Sequence, residues 1–147
     1  MRHVIVTLGL AVAACGSGAA APQAPSTPNA IMWTSCGPTD GPAKTFMVGD
    51  TPLTCADESK SHTIARLEIE VWGGAPLADV PLALRGTTGQ ARRCSAGGAC
   101  VPLPNAVLTF HADADGTTLG TLSFTEGGVE TTRAFRATRC EVHIVCG

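Results

Sequence analysis

The chain has 147 residues, 15% of them charged, 44% hydrophobic and 4% aromatic, with a formal net charge of −2. That length suits one modest domain with a core able to hold itself together. The near-neutral balance lacks the basic stripe that nucleic-acid binding requires, so that class of partner is set aside.

The chain opens Met1-Arg2-His3, runs apolar from Val4 through Val12, and reaches Val12-Ala13-Ala14-Cys15-Gly16. A short basic start, an apolar run too short for a mature membrane span, and small residues before a break are the parts of an export signal. The Cys directly after Val-Ala-Ala resembles the lipobox of bacterial lipoproteins. That resemblance implies cleavage after residue 14 and diacylglyceryl modification of Cys15, which becomes the new N-terminus. It also implies permanent attachment to a membrane through more than one acyl chain, because a single chain holds only marginally. Gly16 stands where an Asp would retain such a protein on the inner membrane, so the resemblance implies the outer membrane.

Residues 16–30 are built almost entirely of Gly, Ala, Pro, Ser, Thr, Gln and Asn, with no charge. Such a segment buries too little surface to offset its ordering entropy, and Pro22, Pro25 and Pro28 keep it extended. The expected organisation is therefore a signal over 1–14, a lipidated Cys and tether over 15–30, and a folded domain over 31–147.

Strand signals dominate that domain. Lys44 to Val48 is a first candidate, and Asp57 to Ile64 is the best helical window, though short. Leu67-Glu68-Ile69-Glu70-Val71 alternates with the period of a half-buried strand, its apolar members inward. After Gly73-Gly74-Ala75-Pro76, the residues Val80, Leu82 and Leu84 share a face of the next strand, and Pro81 marks it as an edge. Val107 to Phe110 leads into an Asp113-Ala114-Asp115-Gly116 turn. Thr121 to Thr125, Glu126-Gly127-Gly128 and Val129 to Arg136 form a hairpin. Glu141 to Val145 is expected as a last strand, and Arg133, Arg136 and Arg139 as solvated strand positions. The fold class is all-β.

The strand, Gly74-Ala75-Pro76-Leu77 turn and strand over 67–84, with the Asp113 to Phe124 turn and strand, resemble bacterial immunoglobulin-like modules. The resemblance implies an antiparallel β-sandwich and carries no activity with it. The Cys-bearing stretch from Thr87 to Pro104 departs from it.

Setting Cys15 aside leaves Cys36, Cys55, Cys94, Cys100, Cys140 and Cys146, an even set that reads as a disulfide framework in an exported domain. Cys94-Ser-Ala-Gly-Gly-Ala-Cys100 can close a local loop. Cys140 and Cys146, if a strand lies between them, stand about 20 Å apart and cannot meet. Each then pairs with Cys36 or Cys55, the choice taken being 36–146 and 55–140.

No metal site or cofactor is expected. Cys140 and His143 lack the second His and axial Met of a copper centre. An EF-hand register fails because His111 and Leu122 fall at its end positions. No nucleophile elbow is present, and Glu68 and Glu70 read as a solvated strand face. The leading expectation is a lipid-anchored envelope protein whose domain binds an unidentified protein partner or gives structural support. The alternative is a small envelope enzyme or metal-dependent module using His111, Asp113, Asp115 and possibly His143.

Overall fold

A computed structural model describes residues 22–73, 78–142, 144 and 146. The signal, Cys15, the Gly74–Leu77 turn and His143 lie outside the described residues. The fold is all-β: the described residues form nine strands in one hydrogen-bonded sheet, with a single 3-10 helix among them over Cys55–Thr63. The strands are β1 (Ala30–Cys36), β2 (Pro42–Val48), β3 (Arg66–Trp72), β4 (Leu82–Ala83), β5 (Gly89–Cys94), β6 (Cys100–Pro102), β7 (Val107–Ala112), β8 (Thr118–Glu126) and β9 (Val129–Arg139). Their order in the sheet is β4-β7-β8-β9-β1-β2-β3-β5-β6.

Neighbouring strands run antiparallel except at one seam. There β1 and β9 lie parallel over three residue pairs, Ala30–Ala137 to Met32–Arg139. The seam joins two antiparallel halves, and the sheet curls so that they face each other. Phe46 of β2 meets Phe110 of β7 with ring centroids 5.6 Å apart, although three strands separate them in the sheet. Phe46 also meets Phe135 of β9 at 5.7 Å. Tilted aromatic pairs at such distances add about 0.5–1.5 kcal/mol each beyond the area they bury.

The alternating residues Leu67, Ile69 and Val71 of β3 all point into this concave core, none more than 4% exposed. A second apolar cluster lies on the other face of β1 and β2, where Ile31 and Met47 pack with Leu53 and Cys140. Both faces of these two strands are therefore covered where residues 30–33 and 46–48 run apolar without alternation, as doubly buried strands do.

Chemistry at the turns fixes the hairpins. Gly127 and Gly128 join β8 to β9 with φ values of 57° and 81°. Positive φ at both central residues is the type I′ turn that matches the twist of a two-residue hairpin, and it favours glycine. Gly120 of β8 faces Phe135 across the ladder, and a Cβ there would lie 2.3 Å from the ring. The glycine gives the ring its seat.

Two expectations change. Glu141, Val142, Ile144 and Cys146 are not in a strand. At Cys140 the chain leaves the ladder with one bond to Met32 O at 2.7 Å and crosses the outer cluster, where Val142 packs. Val142 lies on that cluster while Ile144 is 41% exposed, so the apolar positions there do not mark a strand. Val80 does not share the inward face of Leu84; it is 49% exposed, because β4 contains only Leu82 and Ala83.

Pro25 to Ala30 lies against the sheet. The Pro25 carbonyl accepts from Arg136 Nε at 3.1 Å, and Asn29 exchanges bonds with both Arg136 and Gly49.

Candidate functional site

Three disulfides join Cys36 to Cys146, Cys55 to Cys140 and Cys94 to Cys100. These are the pairs chosen from the sequence, although the strand invoked to keep Cys140 and Cys146 apart is not there. The two long bonds fasten the segment after β9 over the outer face of β1 and β2. The short one links directly opposed residues of β5 and β6, whose α-carbons are 4.0 Å apart.

The β5–β6 hairpin forms one wall of a cleft of about 540 Å³. The curl brings the β8–β9 turn opposite this hairpin. Val48, Leu67 and Leu103 supply the floor, each of them a core residue, and Val101 and Pro104 line the sides. The volume lies within the range of about 300–1,000 Å³ usual for ligand sites.

Four charged side chains border the cleft, and each has an opposite charge. Arg93 reaches from β5 to Glu126 at the end of β8 with two bonds, Nε at 2.5 Å and Nη2 at 2.8 Å. Its guanidinium also sits 5.8 Å over the Phe124 ring. Arg66, its side chain 8% exposed, gives Nε and Nη2 to Glu68 and Nη1 to the carbonyls of Ser61 and Ile64. Asp50 pairs with Arg133 of β9.

Glu68 and Glu70, read from the sequence as a solvated face, do project outward but are not free. Arg92 bridges the two carboxylates, and Glu70 Oε2 also accepts from Gln90 at 2.9 Å and Trp72 Nε1 at 3.2 Å. Both acids are partly buried and held by side chains of β5. Among the described residues, one cluster has metal-binding atoms within 4.8 Å of one another: Glu68, Cys94 and Cys100. Its two sulfurs are joined in a disulfide, which removes the thiolates that a soft metal ion requires.

Of the residues of the enzymatic alternative, Asp113 and Asp115 share one arginine while His111 has a different partner, and His143 lies outside the described residues. His111 Nδ1 lies 3.2 Å from Asp79. Asp113 and Asp115 both face Arg136 Nη1, at 3.2 and 3.3 Å, with Thr117 Oγ1 on the same nitrogen at 3.0 Å. The Asp115 carboxyl is held below the ordinary carboxylate range, first by the Thr117 hydroxyl, then by the Thr117 N–H, with Arg136 adding attraction. This turn is at the opposite end of β8 from the cleft.

Arg136 is therefore not the solvated position expected from the sequence. Four oxygens converge on it, and its side chain is 19% exposed. Arg133 is likewise engaged, with Asp50. Arg139 remains exposed.

No protein-family model, curated protein or solved structure matches the chain. What the fold and its cleft define is an all-β domain, stapled by three disulfides and open along one apolar recess.

Proposed function

We propose that this chain is a lipid-anchored lipoprotein of the cell envelope, held through Cys15, and that its domain works by binding rather than by catalysis. The observation that carries the reading is the cysteine arithmetic. With Cys15 set aside, all six remaining cysteines are consumed in three disulfides. Disulfides persist in oxidising compartments such as the periplasm and the cell surface. One cysteine left over, placed just after a short apolar run, is what a lipid attachment site would leave.

The outer membrane is the proposed location, on the strength of Gly16. The binding role is supported by a recess whose charges are already paired, while His111, Asp113 and Asp115 are occupied by neighbours. An immunoglobulin-like arrangement is the proposed finer class of the fold. It is supported by two antiparallel halves packed face to face and by the Asp113–Gly116 turn between β7 and β8.

Metabolic labelling with a palmitate analogue tests the anchor. The wild-type protein should take up label, and Cys15→Ser should abolish both label and sedimentation with membranes. A Cys15→Ser protein that still sediments overturns the reading.

A further inference from the structure

We infer that the cleft between the β5–β6 hairpin and the β8–β9 turn holds an uncharged acyl chain, supplied by a glycerolipid of the membrane to which Cys15 anchors the domain. The inference rests on the binding role proposed above and names its ligand.

Charge argues first. Arg93 is spent on Glu126, Arg66 on Glu68 and two carbonyls, and Asp50 on Arg133. A carboxylate, phosphate or ammonium entering the cleft would lose water and gain no free partner, and burying an unpaired charge is strongly unfavourable. The occupant is neutral.

The walls argue next. The floor is aliphatic, Val101 and the prolines extend it along the sides, the hydroxyls of Ser95 and Thr125 and the paired charges complete the lining, and no aromatic side chain is present to stack on a planar ligand. Hydrocarbon is the matching surface.

Backbone pairing argues against a peptide strand. Ser95 N–H bonds Ala99 O, and Leu103 N–H bonds Ala91 O, at 2.9 Å each. Antiparallel ladders alternate, so Cys100 and Pro102 occupy the pairs not bonded to β5, and their backbone groups face the open edge. Pro102 has no N–H to offer there. An edge of three residues interrupted by proline is a poor template for strand addition.

The test uses the Cys15→Ser full chain, purified without detergent, and follows the valine and leucine methyl signals by NMR. Monodecanoylglycerol, kept below its micelle concentration, should shift the methyls of Val48, Leu67, Val101 and Leu103 in a saturable way. Lengthening the chain from eight to ten carbons should tighten binding by about fourfold per methylene, the value of one buried methylene. Ionised decanoate should bind at least tenfold more weakly. Ala99→Trp, at an exposed lining position, should abolish the shifts, while Val80→Trp should leave them unchanged.

Four results would overturn the assignment: no saturation, shifts that persist in Ala99→Trp, decanoate binding as tightly as the neutral ester, or tighter binding of naphthalene. Because the protein in this titration carries no lipid, its failure beside successful labelling of Cys15 would remove the ligand and leave the anchor standing.

Discussion

Gly120 and Phe135 form a pair in which one residue exists to make room for the other. Any side chain at Gly120 meets the ring, since even a Cβ would come within 2.3 Å of it. Phe135 is fully buried and in contact with Phe46, so it has no free space to retreat into. Gly120→Ala should destabilise the domain by about 1–3 kcal/mol, the usual cost of overpacking, read as a lower denaturation midpoint. Adding Phe135→Leu should recover part of that loss, since the two sites couple. A strictly additive double variant would refute the seat.

The Asp113–Thr117 turn makes a prediction of the same scale about pH. The carboxyl of Asp115 titrates lower folded than unfolded, chiefly through Thr117. Its contribution to stability is thus complete above the unfolded carboxylate value of about 4 and is lost as pH falls through the depressed folded value. In a carbon-detected titration, Thr117→Val should move the Asp115 midpoint upward more than Arg136→Gln does. The reverse ranking would mean that charge, not the hydroxyl, sets it.

Among the elements, legibility in the sequence follows how each strand is covered. β3 announces itself because one face meets the core and the other meets Arg92 and Gln90, giving strict alternation. β1 leaves no such trace: Ile31 is buried on one side and Ala30 on the other, so the two-residue period vanishes. β5 reads Gly-Gln-Ala-Arg-Arg-Cys, and its core-facing positions are filled by Gly89, Ala91 and Arg93, which give no apolar period. The segment after Cys140 errs in the opposite way: its sequence alternates, yet Val142 lies on the outer cluster outside any strand and Ile144 is exposed. The cleft could not be read at all, because its lining comes from segments between residues 48 and 127 that only the curl assembles.

The staples differ in what they constrain. Cys94–Cys100 closes a span of six residues, and the loop-entropy model gives it less than the ~3 kcal/mol of a fifteen-residue loop. Cys36–Cys146 closes a span of 110, where the same model allows about 4.7 kcal/mol. Replacing Cys94 and Cys100 by Ala should leave a folded protein with a modest fall in melting temperature. Replacing Cys36 and Cys146 should lower it considerably more. Equal falls would show that the short bond does more than restrict the unfolded chain.

At the scale of the whole molecule, the seam between β1 and β9 places the first strand in the middle of the sheet, beside the last. Each half can zip its own hairpins from local contacts, but the two cannot be joined edge to edge until residues 137–139 exist. Both long disulfides likewise wait for cysteines that lie beyond residue 139. A ribosome delivers this chain from its N-terminus, so β1 is made first and completed last. Until β9 has been made, the growing polypeptide carries an apolar strand with one flank vacant, exposed to any other strand that comes by. The architecture therefore ties safe maturation to the arrival of β9: a nascent chain stalled before it is a sticky half-sheet, and one that has passed residue 139 can join its two halves.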